Sequence, residues 1–370
     1  MKDVAIVGGG IMGLLVAREL TAAGRTVTLI ERGRCAGEAS WAGGGIVSPL
    51  YPWRYNAAVT ALASWAQDYY PELSAALLNE TGIDSELEAC GLLMLEADDS
   101  AEALEWSGRS GRRMVPVDAG FIHERQPALA RSFISGLWMP DVANIRNPRL
   151  GQALRTSLMD SGADIREFSE VCDLALAGRQ LDGLWVRSSS GEEERVQAGE
   201  YVFCTGAWTA RLLERTGLTL PIEPVKGQML LYELPGRVLD EMVLYQGRYL
   251  IPRRDRHLLA GSTLEQAGFD KSTTDEALQS LRASAEQLLP ALASVPVKRQ
   301  WAGLRPGAPD GVPFIGRLPG SANAWVNAGH YRNGLVLAPA SARLTADLMT
   351  GRAPVVSPAP YDPAVRCVRP

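Results

Sequence analysis

Histidine and cysteine are scarce in this chain of 370 residues. Only His123, His257 and His330 could serve a catalytic triad or a histidine-based metal centre, so those classes of site have few candidates. The cysteines are odd in number, widely spaced and without a Cys-x-x-Cys pair, which predicts reduced thiols and no metal site. They are Cys35, Cys90, Cys172, Cys204 and Cys367.

A basic surface and a long apolar run are also missing. The 37 Lys and Arg against 42 Asp and Glu give a net charge of -5, so we expect no nucleic-acid partner. The longest uncharged stretch, residues 39–53, contains glycines and prolines where a membrane span needs about 20 apolar residues. The first residues lead directly into an apolar strand pattern without the core of a signal peptide. We therefore expect no membrane segment and a cytoplasmic location.

The first 31 residues carry the strongest local pattern. A buried strand over Val4–Val7 leads into the glycine-rich turn at residues 8–13, which opens a helix. A second strand, Thr26–Ile30, ends at Glu31. This order of strand, Gly-x-Gly-x-x-Gly turn, helix, strand and acid is typical of a dinucleotide-binding βαβ unit.

Each residue of this unit has a predicted role. Gly8 allows the tight turn, Gly10 lets the backbone approach a pyrophosphate, and Gly13 lets helix and strand pack closely. Glu31 is placed to accept ribose hydroxyls, and its charge would repel a 2′-phosphate. The unit therefore favours FAD or NAD over NADP.

Two further segments favour FAD. In Ser40-Trp41-Ala42-Gly43-Gly44-Gly45, the glycine run permits close backbone approach to a planar ring, and Ser40 can reach a phosphate. Residues 329–335 lead into the last predicted helix, 335–349, behind Asn333-Gly334 as its cap. A helix N-terminus there would stabilise the negative charge that a flavin develops on reduction.

Four motifs together resemble a known family. They are Ser-Trp-Ala-Gly-Gly-Gly-Ile-Val-Ser-Pro at 40–49, Pro-Val-Lys-Gly-Gln at 224–228, Trp-Ala-Gly-Leu-Arg-Pro-Gly at 301–307 and Gly-His-Tyr-Arg-Asn-Gly-Leu-Val-Leu-Ala-Pro at 329–339. With them, the chain from Val4 to about Tyr361 resembles the glycine oxidase branch of the D-amino acid oxidase and sarcosine oxidase family of flavoenzymes.

The resemblance implies FAD as the cofactor. Sarcosine oxidases attach their flavin to a cysteine in the C-terminal third, whereas no cysteine occurs here from Thr205 to Arg366, so we expect non-covalent binding. The predicted FAD-binding residues are Gly8, Gly10, Ile11, Met12, Gly13, Glu31, Arg32, Ser40, Ala42, Gly43, Gly44, Gly45, Val171, Thr205, Gly206, Trp208, Gly303, His330, Tyr331, Arg332, Asn333, Gly334 and Leu335.

The resemblance also assigns three catalytic residues. Arg305 matches the family's bidentate carboxylate-binding arginine, and Tyr249 matches the tyrosine that donates its hydroxyl to the same carboxylate. A structural arginine and a buried strand aromatic are the alternatives. Arg332 matches a second active-site arginine, which could instead contact only the cofactor. We expect His330 to pack near the cofactor, because an unprotonated amine needs no protein base.

The implied reaction is the oxidative deamination of glycine. A hydride passes from Cα to the flavin, the imine hydrolyses to glyoxylate and ammonia, and O₂ reoxidises the flavin to give H₂O₂. In related bacteria thiazole synthesis for thiamine consumes the imine, so a functional link to thiazole synthase is implied.

Sarcosine, N-ethylglycine and small D-amino acids stay open as substrates. The alternatives are a D-amino acid dehydrogenase with a quinone acceptor and a tRNA-modifying FAD oxidoreductase. A homo-oligomer is the expectation.

The predicted fold class is α/β, with a Rossmann-like FAD-binding domain and an antiparallel-sheet substrate domain. A helical pattern at 56–78 is expected to break near Pro71, and strands at 301–304 and 324–327 to return the chain to the first sheet. Five prolines after residue 353 predict no regular structure in the tail. The predicted segments are 1–85, 141–225 and 297–352 for the FAD domain, 86–140 and 226–296 for the substrate domain, and 353–370 for the tail.

Overall fold

A computed structural model describes residues 1–366 of the chain. Within these residues the chain forms two large sheets, two small ones, and helices around them, which confirms the α/β class. The helices are α1 (Ile11–Ala22), α2 (Ala39–Ala42), α3 (Ala57–Thr81), α4 (Ser100–Ser110), α5 (Ala119–Arg125), α6 (Asn147–Asp160), α7 (Thr209–Leu213), α8 (Asp275–Leu288), α9 (Gly334–Thr350) and α10 (Pro363–Arg366).

The strands follow the same chain order. They are β1 (Lys2–Val7), β2 (Val27–Ile30), β3 (Ile46–Val47), β4 (Leu92–Leu95), β5 (Val115–Asp118), β6 (Ser135–Met139), β7 (Ala143–Asn144), β8 (Asp164–Arg166), β9 (Glu170–Ala177), β10 (Gln180–Arg187), β11 (Glu193–Val196), β12 (Ala198–Phe203), β13 (Glu223–Glu233), β14 (Met242–Tyr245), β15 (Arg248–Pro252), β16 (His257–Gly261), β17 (Val297–Gly307), β18 (Phe314–Arg317) and β19 (Ala324–Ala328).

The first sheet has six strands in the order β18-β19-β12-β1-β2-β8. All neighbours pair in parallel except β18 with β19. The central strand β1 is buried from Val4 to Val7, as a parallel strand covered on both faces requires. Helices α1, α3 and α9 share one hydrophobic core with this sheet. The carboxyl ends of β1, β2 and β12 therefore meet at one edge, where parallel sheets bind ligands.

The second sheet has eight strands in the order β17-β13-β16-β15-β14-β4-β6-β5 and is antiparallel except where β14 meets β4. Its long strands β13 and β17 pair along most of their length, from Glu223 opposite Gly307 to Tyr232 opposite Val297. Helix α8 covers one face, with Leu281 and Leu288 buried among sheet residues. The predicted antiparallel sheet and its covering helix are confirmed.

Two predictions of local structure were wrong in the core of the fold. Trp301–Leu304 belongs to β17 in the second sheet, because Val297–Gly307 pairs with β13. Helix α3 runs through Pro71 without a break. Proline removes one N–H donor from the helix. The apolar face that α3 buries, which includes Leu62, Tyr70 and Leu77, outweighs this loss and keeps the helix continuous.

The ends of the last helical region also differ from expectation. Asn333 precedes α9, but its side chain makes no capping hydrogen bond. The tail contains a 3-10 turn, Ala359–Tyr361, and the short α10, each beginning with or near a proline, where the missing N–H costs nothing. Tyr361 docks this tail by donating its hydroxyl to the Ala58 carbonyl at 2.8 Å. The tail residues 367–370, with Cys367, lie outside the described residues.

The other four cysteines are all free thiols in the described part of the chain. No helix among residues 1–366 is both long enough and apolar enough to cross a membrane.

Candidate active site

A cavity of about 960 Å³ opens at the carboxyl edge of the first sheet and extends to the second sheet. This is a volume suited to a large organic ligand. It brings together nearly all the residues predicted from the sequence. These are Gly8, Gly10, Ile11, Met12, Glu31, Arg32, Ser40, Gly43, Gly44, Gly45, Val171, Thr205, Gly206, Trp208, Tyr249, Arg305, His330, Tyr331, Arg332, Asn333, Gly334 and Leu335.

Three predicted residues lie behind the cavity wall instead. A Cβ on Gly13 would collide with the Gly8 carbonyl, so this glycine allows α1 to pack against the turn. A Cβ on Gly303 would lie 2.6 Å from the Ala42 Cβ, so Gly303 and Ala42 let β17 approach α2. Gly303 and Ala42 therefore pack against each other behind the cavity wall, and the cofactor-binding role expected for them stays a prediction.

The turn at Gly8–Gly10 forms a cradle before the N-terminus of α1, and its Gly8 amide donates to the Ile30 carbonyl at 2.8 Å. Gly8 adopts φ +102°, and a Cβ there would lie 2.5 Å from the Cys204 carbonyl oxygen. The first amide of α1, Ile11 N, donates to Ser40 Oγ at 2.8 Å. The Ser40 hydroxyl keeps its own proton for a further acceptor. A phosphate at this helix N-terminus would meet that hydroxyl and the positive end of the helix dipole.

Glu31 is fixed by the backbone on both sides. Its Oε2 accepts from Gly9 N at 2.7 Å, and its Oε1 accepts from Gly33 N at 2.8 Å. Each oxygen retains a lone pair for another donor. The next residue, Arg32, stacks on the Trp208 ring at 3.7 Å and pairs with Glu38 at 3.2 Å. These contacts hold the end of β2 in the position that a ribose requires in such folds.

Replacing Glu31 by alanine should weaken FAD binding by about 1.5–3 kcal/mol, because a charge-assisted hydrogen bond to the ribose is lost. The measurement is titration of the apoprotein with FAD, followed by quenching of flavin fluorescence. The surface variant Glu80→Ala, which breaks an ion pair with Arg18, serves as the control. An unchanged FAD affinity in Glu31→Ala would mean that Glu31 only ties the Gly9 and Gly33 loops together.

The glycine loop at 43–45 is anchored by two residues that the sequence reasoning missed. Arg253 is 6% exposed and donates from Nη2 to the Gly44 carbonyl at 2.8 Å. Its Nη1 donates to Asn144 Oδ1 at 2.7 Å and to the Ile145 carbonyl at 3.0 Å. Burial lowers the pKa of this guanidinium to about 10. It remains charged at neutral pH and ties the second sheet to the loop.

The other missed residue, Asn147, fixes the loop from the side of α6. Its amide donates to the Ser40 carbonyl at 3.0 Å, and its buried Oδ1 has no partner among the described residues. Arg253 follows the mostly apolar strand β15 and Asn147 begins α6, so no local sequence pattern marks either residue, and their role depends on contacts between distant segments.

Arg305 projects from β17 into the far end of the cavity. Its Nη1 donates to the carbonyls of Lys226 at 3.3 Å and Thr263 at 3.1 Å, and its Nη2 donates to Ser262 Oγ at 2.7 Å. These bonds use three of the five N–H groups, so Nε–H and one Nη2 proton remain for the neighbouring Tyr249 hydroxyl or a ligand. Burial lowers the pKa of Arg305, and the nearby Arg332 lowers it further. The arginine is thus anchored by carbonyls and still offers a donor pair.

Tyr249 and Arg332 stand beside it. The Tyr249 hydroxyl donates to the Met229 sulfur at 3.2 Å, a weak acceptor that a carboxylate would displace. A Cβ on Gly44 would lie 3.1 Å from the Tyr249 ring, so the glycine permits this approach. Arg332 lines the cavity and makes no hydrogen bond or ion pair within the described residues.

The charges in the cavity wall are unevenly distributed. The acidic lining residues Glu31, Glu38, Glu170 and Glu214 belong to segments other than those that carry Arg305, Tyr249 and Arg332. Two guanidinium groups without a neighbouring carboxylate form a site for a small anion. Among residues 1–366, no group of three or more His, Cys, Asp and Glu side chains is placed to hold a metal ion.

His330 is a neutral wall residue. It is 2% exposed, its Nε2 lies 3.1 Å from Ser341 Oγ, and burial lowers its pKa to about 3. A group with that pKa is a poor general base at pH 7. This agrees with the packing role expected from the sequence.

The cavity fits FAD by its polar groups as well as its shape. Asn333 Nδ2 and Asn327 Oδ1 are buried without partners, and both residues line the cavity. These side chains leave one donor and one acceptor unpaired beside the cavity, and a ligand with complementary groups would suit them. A flavin ring supplies both, and the cradle at Gly8–Gly10 with Glu31 supplies the dinucleotide end.

Comparisons with known proteins agree with this geometry. Residues 3–348 match the model of the family described as FAD dependent oxidoreductase. The chain is 53% identical over 366 residues to a glycine oxidase of Pseudomonas aeruginosa, covering 99% of each chain. It is 32% identical to the bifunctional protein ThiO/ThiG of Trichormus variabilis, covering 94% of this chain and 52% of that protein.

A comparison of folds shows the same similarity to glycine oxidases. The crystal structure of glycine oxidase from Geobacillus kaustophilus superposes with a TM-score of 0.89 at 29% identity, covering 98% of each chain. With a family match over most of its length and a cavity built for the family's cofactor, the chain belongs to the FAD-dependent oxidoreductases.

Proposed function

We propose that this protein catalyses the oxidative deamination of glycine to glyoxylate, ammonia and H₂O₂. The observation that carries the proposal is the pair of guanidinium groups, Arg305 and Arg332, at the end of a cavity suited to FAD. The similarity to glycine oxidases at 53% identity supports the same substrate class.

The chain's own residues bind and orient the substrate. The free Nε–H and Nη2 proton of Arg305 bind the carboxylate in a bidentate manner, and the Tyr249 hydroxyl turns from the Met229 sulfur to the same group. Arg332 adds positive charge beside it. A carboxylate fixed by these donors directs the substrate Cα towards the cavity wall formed by Gly43–Gly45 and Tyr331.

Proton handling needs little from the protein. His330 stays neutral and bonded to Ser341, so it takes no proton at neutral pH. A substrate amine that enters unprotonated needs no base. When bound, FAD supplies the two-electron acceptor for the hydride that leaves the substrate Cα. The residues around it position the substrate and exclude water.

We further propose O₂ as the acceptor that completes turnover, a cytoplasmic location and a homo-oligomeric state. The relative named ThiO/ThiG is about twice as long as this chain, and about half of it matches the chain. That match supports a functional link to thiazole synthase and to thiamine synthesis. We also propose the two predicted domains, with β17 assigned to the substrate side.

A substrate panel tests the proposed reaction. The purified protein is assayed for H₂O₂ release and O₂ consumption with glycine, sarcosine, N-ethylglycine and D-alanine. We expect release with glycine in equal amounts with glyoxylate. Reduction of a quinone dye without O₂ consumption would favour the dehydrogenase.

The purified protein should also be yellow, and acid precipitation should release intact FAD into the supernatant. The reason is that, among the described residues, Cys172 and Cys204 are the thiols that line the cavity, and neither belongs to the second sheet that carries Arg305: Cys204 follows β12 of the first sheet, and Cys172 lies on β9 of the three-stranded sheet. The measurement is the absorbance spectrum of supernatant and pellet, with free FAD carried through the same precipitation as a control. Flavin that stays with the pellet would contradict non-covalent binding.

A further inference from the structure

Ser262 occupies a distinct position beside Arg305. It follows β16 directly, is 6% exposed and lines the cavity together with Tyr249 and Arg305. Its Oγ accepts the hydrogen bond from Arg305 Nη2 at 2.7 Å. The other two acceptors of the guanidinium are the backbone carbonyls of Lys226 and Thr263, and the Tyr249 side chain also interacts with it.

The Ser262 hydroxyl can donate a hydrogen bond as well as accept one. An oxygen that accepts from Arg305 keeps its own O–H as a donor, and no acceptor for it is found within residues 1–366. The next residue is bound differently: Thr263 Oγ1 accepts from Gln228 N and donates to Glu265. Thr263 therefore belongs to a closed network, whereas Ser262 lines the cavity with a donor that has no partner among residues 1–366.

The backbone behind Ser262 is held firmly. Thr263 N donates to the Gln228 carbonyl, and Glu265 and Lys226 exchange two backbone hydrogen bonds at 2.9 and 3.0 Å. Lys226 is buried and pairs with Asp270 at 3.0 Å. The hydroxyl therefore sits on a fixed frame, next to the Nη2 whose second proton is free for the substrate.

We propose that Ser262 is a substrate-binding residue that orients the Arg305 fork and donates its hydroxyl proton to the same carboxylate oxygen that Nη2 binds. The inference rests on the proposed function for the identity of the substrate and extends it by one donor. It makes the site selective for a carboxylate over an uncharged group, since three donors from β17, β15 and the segment after β16 converge on one anion.

The test uses FAD-loaded wild-type protein and the variants Ser262→Ala, Ser262→Cys and Ser262→Thr. Acetate, a carboxylate without an amine, is titrated by calorimetry, and glycine is mixed anaerobically to measure its Kd and the limiting rate of flavin reduction. We expect Ser262→Ala to raise the Kd of both about 10- to 100-fold, as for the loss of a hydrogen bond to a charged group. The limiting rate should stay within about threefold, and Ser262→Thr should retain most of the affinity.

Ser85→Ala is the matched control, because Ser85 is buried, bonds to Ser74 and lies outside the cavity. Ser262→Cys keeps the volume while its thiol is a weak donor, so its loss of affinity tests the proposal even if the alanine variant fails to fold. A Kd within twofold of the wild type, or an equal loss in Ser85→Ala, would overturn the proposal. If glycine fails to reduce the wild-type flavin, the proposed function fails, and the acetate titration still decides the role of Ser262.

Discussion

Replacing Arg305 by lysine should give a folded, FAD-loaded protein that has lost about 100-fold in kcat/KM for glycine. Lysine keeps the charge but cannot form two parallel N–H···O bonds with a carboxylate. It also cannot satisfy the Lys226 and Thr263 carbonyls and Ser262 together, as the guanidinium does. Arg305→Ala should lose about 1,000-fold or more, since both the charge and the fork are removed.

Stopped-flow flavin reduction at varied glycine measures this effect, with circular dichroism and bound flavin as controls for folding. The matched variant is Arg299→Lys on the same strand, whose guanidinium stacks over Trp41 outside the carboxylate site. Wild-type reduction rates in a folded, flavin-replete Arg305→Ala protein would make Arg305 structural. Arg332 would then be the next candidate for the carboxylate.

Replacing Arg253 by methionine should lower the free energy of unfolding by about 3 kcal/mol and weaken FAD binding at least about tenfold. The change leaves three buried acceptors unpaired, namely the Gly44 and Ile145 carbonyls and Asn144 Oδ1. Unpaired buried acceptors cost about 1–3 kcal/mol each, and removal of a buried charge offsets part of that cost. The loop that carries Gly44 then loses its anchor to the second sheet.

The neighbouring residue provides the control for this prediction. Arg254 is exposed and pairs with Asp84 at 2.8 Å, so Arg254→Met should change stability by less than about 1 kcal/mol. Urea unfolding of the apoprotein and titration with FAD give the two quantities. Equal effects of the two substitutions would contradict a specific role for Arg253 in holding the glycine loop.

The βαβ unit could be predicted from sequence because all its information is local. Val4–Val7, the spaced glycines and Glu31 lie within one short segment, and each has a direct backbone or packing requirement. The roles of Arg305 and Tyr249 at the far end of the site could be predicted only from the family resemblance, since no periodic pattern surrounds either residue. The structure then places both in one cavity.

What could not be predicted depends on contacts between distant segments. Arg253 reaches Gly44 across 209 positions of the chain, and Asn147 reaches Ser40 across 107. The assignment of residues 301–304 to the wrong sheet has the same origin, because a short apolar run fits either sheet until β13 pairs with it. Helix α3 continues through Pro71 because it buries an apolar face along its length. A prediction based on the local effect of proline does not take that burial into account.

The most direct measurement of the central claim is a single turnover without oxygen. The purified yellow protein is mixed anaerobically with glycine, and the visible absorbance of the oxidised flavin is followed while glyoxylate and ammonia are quantified. We expect the flavin to bleach completely, with one glyoxylate and one ammonia formed for each FAD, and the colour to return when O₂ is admitted. A flavin that dithionite reduces but glycine leaves yellow at saturating concentration would contradict the assignment of this cavity to glycine oxidation.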